Sequence, residues 1–385
     1  MTTVQRRLQV VVKVSKFCNL RCRYCYEYDE LGNRERIDPD RLHALFTSLH
    51  EHLTEVDARD GARTGVDFIW HGGEPLMLEP GYYRAAFADL RAVFGERTHR
   101  HVVQTNLTRL DDDRLALLRD EFDSIGVSFD VVGGLRVNLA GRDSTRGVAA
   151  NMLRLREHGV RFGCITVLTA ANAHRVDEIF DFYERQGTSF RVLPLFDGAF
   201  ADQHAGYDVD NATIVSALTR LFDRWLASPS AIQVSPLDEY TDRAIRHLTG
   251  AEPVYYNRRE WLDVILVNTD GEVYAFGDPF DDPRHSLGNA FTTGLREVFT
   301  GPGYDRSASA AELRMAANCV SCPFFGACSG SYVADGETSA RDLADGAVRA
   351  CVVERAVIEH IAWRLRDIPD LAPRWTAGQA EPVAF

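Results

Sequence analysis

The stretch KFCNLRCRYCYEY, residues 16–28, carries Cys18, Cys22 and Cys25 in the spacing Cys-x3-Cys-x2-Cys, directly after an apolar, β-branched run at residues 8–14. A run of that length reads as a buried strand. The three thiols therefore stand in the loop at its C-terminal end. Three thiolates so close together can hold three irons of a four-iron cluster and leave the fourth iron without a protein ligand. An open position on a metal site serves chemistry more often than stability. The other reading of the same spacing is three of the four ligands of a structural zinc, although zinc knuckles more often use Cys-x2-Cys.

Working outward, strand-like runs recur at residues 66–70, 101–105, 124–128, 162–168 and 190–195, with helical patterns between them. The clearest helix opens with Asp38-Pro39, an N-cap followed by proline at the first helical position, and sets Leu42, Leu45, Phe46, Leu49 and Leu53 on one face. Two more, over residues 144–158 and around Val176, Ile179, Phe180 and Tyr183, stop at Gly159 and Gly187. Six βα units in succession predict a parallel sheet with right-handed crossovers. Six is two short of a closed barrel, so the expected fold is α/β, a partial (β/α)6 TIM barrel over residues 1–200 with its site at the strand C-termini. A helical bridge is expected over 201–255, after the polar stretch at 197–211, with helices around Ile214–Trp225 and 238–248. From 256 to 365 the pattern becomes short strands and turns, with an Asp270-Gly271 hairpin signal, and a last helix follows Cys351. Residues 366–385 read as an irregular tail.

Composition narrows the function. The 385 residues are 45% hydrophobic and 26% charged, an ordinary globular balance. A net charge of −13 argues against a nucleic-acid partner. No apolar run approaches the ~18 residues of a membrane span, and the first residues are too charged for a secretory signal peptide. The expected location is the cytoplasm, where clustered cysteines bind metal more often than they form disulfides.

A second constellation, His71-Gly72-Gly73-Glu74-Pro75, follows the strand at 66–70. Two glycines allow close approach to the backbone, the turn leaves peptide groups free for an amino-acid head group, and Glu74 is able to accept from an ammonium. Gln104 and Asn106 end the next strand, to face the site or to cap the loop. Taken in order, CNLRCRYCY, FIWHGGEP, VQTN and VSFD resemble the radical S-adenosylmethionine superfamily, specifically its SPASM-domain branch. The resemblance implies that Cys18, Cys22 and Cys25 hold a 4Fe-4S cluster whose free iron is chelated by S-adenosylmethionine. It also implies that Gly72, Gly73 and Glu74 contact the methionyl amine, that Tyr24 lies by the adenine, that Ser128 is near the ribose, and that Arg136 is near the carboxylate. Asn106 joins them as a candidate cofactor contact.

Cys319-x2-Cys322-x5-Cys328, with Cys351 following 23 residues later, matches the SPASM pattern for one auxiliary 4Fe-4S cluster with four cysteines and no free position. A structural zinc is the alternative that spacing leaves open. The ligand positions of a second auxiliary cluster are occupied by Phe276 and Tyr332, so one auxiliary cluster is expected, and the residues form a SPASM-like domain over 256–365. Cys164, mid-strand, reads as a small buried hydrophobe. Asp278 lies one residue after the place where sulfatase-maturing relatives put a catalytic carboxylate, which is Gly277 here. It is a candidate base or an Asp-Pro turn residue. Tyr274 is a pocket or core residue.

SFDVVGGLRVNLAGRDS and WHGGEPLM resemble peptide maturases that join an aromatic ring to a neighbouring Cβ, forming cyclophanes. The implied substrate is a ribosomal precursor peptide, with an electron donor such as flavodoxin or ferredoxin. With the first strand starting by Leu8, no built-in winged helix of ~80 residues is expected, and the peptide is expected to meet the barrel mouth, the bridge or a separate protein. The alternatives are a thioether-forming or sulfatase-type formylglycine maturase, a peptide epimerase, and a zinc-stabilised binding module.

Overall fold

In a computed structural model of the chain, which describes residues 6–195, 206–278, 282–335, 343–344, 348–349 and 351–368, the first apolar run becomes β1 (Arg6–Ser15). It is followed by β2 (Leu20–Cys22), β3 (Thr64–Gly72), β4 (His99–Thr105), β5 (Ser124–Ser128), β6 (Arg136–Asn138), β7 (Gly163–Leu168) and β8 (Phe190–Pro194). Beyond these lie β9 (Val234–Ser235), β10 (Val264–Val267), β11 (Glu272–Ala275) and β12 (Gly288–Asn289). One open sheet runs in the order β12-β11-β10-β1-β3-β4-β5-β7-β8-β9, while β2 and β6 pair separately. The six strands read from the sequence are its parallel centre.

Parity decides what each strand shows to the interior. Phe68 and Trp70 of β3 pack outward, Phe68 on Phe46 and Phe94, Trp70 on Tyr83 and Phe87. Ile69 and His71 therefore face the lumen, and so do Val11 and Lys13, their register partners on β1. The outer layer is α1 (Pro39–Asp60), α2 (Pro80–Phe94), α3 (Asp112–Asp120), α4 (Thr145–Glu157) and α5 (Val176–Gln186). In α1 the Asp38 carboxylate accepts from the Arg41 amide, Gly61 ends the helix with positive φ, and the five residues read as its apolar face are buried. Then come α6 (Asn211–Ala227), α7 (Leu237–Thr249), α8 (Leu295–Thr300), α9 (Pro302–Asn318), α10 (Ser331–Ala334) and α11 (Val353–Leu365).

Two features depart from the sequence reading. The expected bridge and C-terminal segments extend the barrel sheet on both sides, β9 beside β8 and β10 beside β1, both parallel. And α9 is a helix of 17 residues where turns were expected. Its buried face is Gly303, Tyr304, Ala308, Ala311 and Arg314, so no row of large apolar residues announces it. Most of the polar stretch at 197–211 and most of the tail from 366 lie outside the described residues. No helix among the described residues is long and apolar enough to cross a membrane.

Candidate active site

The cysteine loop leaves β1 at Ser15 and is clamped by the two glycines that end β3. Gly73 N donates to Ser15 O at 2.8 Å and Glu74 N to Phe17 O at 2.9 Å. Gly72 has φ +142°, and a Cβ there would fall 2.2 Å from Ser15 O; one on Gly73 would fall 2.3 Å from Lys16 O and 2.6 Å from the Phe17 backbone. Only glycine permits this approach. The close contact predicted for a ligand is thus made first by the chain's own cysteine loop.

Glu74 is 1% exposed and fixes the loop from behind. Its Oε1 accepts from Thr105 Oγ1 at 2.6 Å and Leu76 N at 2.9 Å, and its Oε2 from Asn106 N at 2.6 Å. Burial raises its pKa above the ordinary carboxyl value, opposed by those three donors. The Asn106 side chain does both things expected of it. Its Oδ1 accepts from Thr108 N at 3.0 Å, capping the loop, and its Nδ2 reaches Cys18 Sγ at 3.7 Å.

The opposite wall is the β2–β6 pair, which sets Cys22 across from Arg136. Arg136 Nη1 donates to Cys22 Sγ at 3.8 Å, its Nε lies 2.9 Å from Asp130 Oδ2, and its guanidinium sits 5.5 Å from the Tyr24 ring centroid. Tyr24 Oη donates to the same Asp130 oxygen at 2.5 Å, while Asp130 Oδ1 accepts from Val167 N at 3.0 Å. Burial keeps the Tyr24 phenol well above its usual pKa, so it stays a donor. Asp130, the last residue of VSFD, was passed over in the sequence, yet it joins Tyr24, Arg136 and β7.

These donors also say what the sulfurs are. Cys18 Sγ accepts from Leu20 N at 3.4 Å and from Asn106, and Cys22 Sγ accepts from Arg136. N–H groups aimed at sulfur suit thiolates. Burial nevertheless pushes the Cys25 thiol up to about 12 and raises Cys18 and Cys22 as well. A bound cation is what deprotonates such thiols, and the donor set fits an iron–sulfur cluster.

Beside this loop, Lys13 and Glu27 form a buried ion pair, invisible within an apolar strand pattern. His71 is next to Lys13 in register, and its Nδ1 is sealed from solvent with no hydrogen-bond partner among the described residues. Burial lowers its pKa, leaving the ring neutral. Gln104 Nε2 donates to Ser128 Oγ at 2.8 Å, so both end their strands at the lumen.

The late cysteines gather differently. Cys319 caps α9, Cys322 and Cys328 follow in tight turns, and Cys351 stands just before α11. With Phe325 and Tyr332 they line a cavity of about 440 Å³. Four sulfurs around one zinc at about 2.3 Å would lie only about 3.8 Å apart. Among the described residues no three His, Cys, Asp or Glu side chains gather closely enough for a single ion. Four thiols around one cavity are an all-sulfur ligand set of the kind that holds an iron–sulfur cluster. Phe276 is 55% exposed at the end of β11, whereas Tyr332 is part of the cavity wall. Cys164 is fully buried in β7, and Tyr274 is buried in β11.

Residues 12–183 match the model of the radical SAM superfamily. The barrel is a radical SAM domain. The chain is similar to the serine-type anaerobic sulfatase-maturating enzyme of Bacteroides thetaiotaomicron, 26% identical over 88% of this chain and 87% of the relative. It is also similar to the cysteine-type anaerobic sulfatase-maturating enzyme of Clostridium perfringens, 21% identical over 84% of this chain and 88% of that one. Among solved structures, anSMEcpe with bound AdoMet and Cp18Cys peptide matches with a TM-score of 0.71 at 17% identity, covering 97% of this chain and 100% of that chain. Streptococcus suis SuiB bound to S-adenosylmethionine matches with 0.53 at 16% identity, covering 79% and 68%. The structural likenesses speak for the fold, and the chain is an enzyme whose cofactors are S-adenosylmethionine and 4Fe-4S clusters.

Outside the radical SAM domain, Asp278 is not placed as a free base. Its Oδ2 accepts from Ser307 Oγ at 2.9 Å and lies 3.5 Å from Arg258 Nη1, with Arg314 Nη2 4.0 Å from Oδ1. Arg258 also holds Asp335 Oδ1 at 2.6 Å. At Gly277, φ +83°, a Cβ would fall 1.2 Å from Asp335 O, so no side chain fits there. Buried and shared among these partners, Asp278 braces the fold in place of the base suggested by the sequence.

Proposed function

We propose that this radical SAM enzyme is a peptide maturase that abstracts a hydrogen, from Cβ, in a ribosomal precursor peptide and joins that carbon to an aromatic ring. The observation that carries the reading is the pairing of a three-cysteine loop at the barrel mouth with a four-cysteine cavity on the same chain. Cys18, Cys22 and Cys25 would hold the first cluster and Cys319, Cys322, Cys328 and Cys351 the second. Bound there, the cofactors supply a 5′-deoxyadenosyl radical at the first site and a one-electron acceptor at the second.

The chain's own residues do the rest. Gly72, Gly73 and Glu74 hold the cysteine loop and offer backbone to the methionyl head group. Tyr24, with Arg136 and Asp130, forms the wall on the adenine and carboxylate side, Asn106 braces Cys18, and Ser128 with Gln104 lies toward the ribose. Lys13, Glu27 and the strand ends shield the lumen from water, which a carbon radical requires. Forming the bond removes two hydrogens: one leaves as an atom, the other as an electron and a proton. His71, whose Nδ1 has no hydrogen-bond partner among the described residues, would accept that proton. SuiB, one of the structural neighbours, is known bound to the precursor peptide SuiA, which supports a peptide in the barrel mouth here. A soluble one-electron donor of the flavodoxin or ferredoxin kind would start each cycle.

The sulfatase-type reading is favoured by the two relatives above and disfavoured by the bracing of Asp278 and the filled space at Gly277. Co-expression with a short peptide frame beside the gene separates them. A cyclophane appears as a loss of two hydrogens on a cysteine-free peptide, unreactive toward hydrazide. A hydrazide-reactive product contradicts the proposal in favour of formylglycine, an unchanged mass with an inverted residue favours epimerisation, and a product requiring cysteine favours a thioether.

A further inference from the structure

Behind the four-cysteine cavity a single cationic side chain is held with unusual care. Arg243, on α7, donates through Nη1 to Glu239 O at 2.7 Å, and its guanidinium lies 5.1 Å from the ring centroid of Tyr332. Tyr332 in turn lines the cavity, packs edge-on against Tyr240 at 5.4 Å, and donates through Oη to Glu239 Oε2 at 3.1 Å. The carboxylate of Glu239 is further tied to Arg191 at 3.3 Å and Ser235 at 3.2 Å, on β8 and β9 of the barrel. The Tyr332 ring thus separates the Arg243 guanidinium from the cavity that Tyr332 and Cys328 both line.

We propose that Arg243 is a positioning residue of the electron-accepting site, whose fixed positive charge raises the reduction potential of the four-cysteine iron–sulfur cluster. The inference rests on the reading that these cysteines hold such a cluster. Reduction by one electron adds one negative charge to a group already made anionic by four thiolates, and net charge nearby is a main determinant of cluster potential. A cation held in a medium of low dielectric favours the more anionic, reduced state. Two carboxylates share the surroundings, Glu239 bonded to Tyr332 and Glu354 beside Cys351. Arg355 and Glu359 on α11 are exposed, opposite in sign and screened. Glu239 and Glu354, the latter against Cys351 at 3.8 Å, are common to every variant compared below, so the Arg243 variants differ in the Arg243 charge alone. In the cross-linking reaction the electron released as the ring regains aromaticity passes to this cluster, which is the oxidant of that step, and the proton goes to the lumen base. Tyr332, which replaces a cysteine in the pattern for a second auxiliary cluster, here becomes the platform that holds the tuning charge.

The test is potentiometric titration of the anaerobically reconstituted full-length enzyme, followed by electron paramagnetic resonance, with the radical SAM cluster identified by its response to added S-adenosylmethionine. In Arg243→Met the auxiliary cluster is expected to be about tenfold less reduced at a given potential, a downward shift of about 59 mV for a one-electron couple. Arg243→Lys keeps the charge and Tyr332→Phe keeps the platform, so both stay within about threefold of the parent, and the radical SAM cluster is unmoved in all three. If Arg243→Met fails to retain iron, Arg243→Gln is read in its place. A neutral variant with full iron and an unchanged auxiliary potential overturns the inference, as does loss of the auxiliary irons from both neutral variants, which would make the arginine structural. A parent enzyme without iron at the four cysteines overturns the proposed function instead.

Discussion

Cys18, Cys22 and Cys25 come from eight consecutive residues of a loop whose backbone is bonded into the barrel just before them, at Ser15 and Phe17, and opposite Arg136. Cys319, Cys322, Cys328 and Cys351 come from the end of one helix, two turns and the start of another, and meet around a cavity. The first site is a property of the sheet: its glycines, Glu74, Asn106 and Arg136 hold the loop. The second depends on α11, which packs on α6 and α7, and on α9, which packs on α8 and α10, and its geometry is completed by what the cysteines bind. A site that initiates radical chemistry needs fixed geometry around an open position, and one that only stores an electron needs enclosure and charge.

The largest effect expected from breaking this contrast is on the sheet side. Gly73→Ala drives a Cβ into the Lys16 and Phe17 backbone and displaces the cysteine loop. Cleavage of S-adenosylmethionine to 5′-deoxyadenosine should fall about 10²-fold, as ångström-scale misplacement does elsewhere. Next, Cys328→Ala should leave about four irons of about eight. It should retain 5′-deoxyadenosine formation while cross-linked product, read by mass, drops at least about tenfold, because the electron then has no acceptor. A variant that loses both activities together would show that the two sites are not separable.

A third prediction concerns acid. His101 on β4 is buried, stacked on Phe87 at 3.7 Å, and accepts from Trp70 Nε1 at 3.3 Å. Burial pushes its pKa down to about 3, so below about 6.5 the unfolded chain binds a proton that the folded chain refuses. Barrel stability should therefore be intact above that value and fall by up to about 1.4 kcal/mol per pH unit from about 6.5 toward about 3. Denaturant titrations across that range should show a shallower slope for His101→Gln. The smallest effect is on the cavity side. Tyr332→Phe removes one hydrogen bond to Glu239 and should cost about 1 kcal/mol in chemical denaturation, with the iron count unchanged.

How much of this could be read from the residues follows the same division. The six central strands and the three-cysteine loop were legible because each is local: an apolar run, a cap, a spacing. So was the exact burial of Leu42, Leu45, Phe46, Leu49 and Leu53 on α1. Lys13 and Glu27 were not, because a buried ion pair joins residues from different elements and Lys13 sits in an otherwise apolar strand. Asp130 escaped for a like reason, its role resting on Tyr24 and Arg136 arriving from two other segments. The clamp at Gly72 and Gly73 needed the path of the neighbouring backbone, and α9 lacked the large apolar stripe that marks a helix. For the late cysteines, spacing matched a cluster and left a structural zinc open beside it, and the fold adds that Cys351 comes from a separate segment to the same cavity.

The central claim, two iron–sulfur sites of unlike character in one chain, is most directly tested by Mössbauer spectroscopy of the anaerobically reconstituted enzyme with and without S-adenosylmethionine. About eight irons per chain are expected in two equal populations, one altered at a unique iron by the added cofactor and the other unchanged. A single population of about four irons, zinc in the four-cysteine cavity, or both populations responding to S-adenosylmethionine would contradict it.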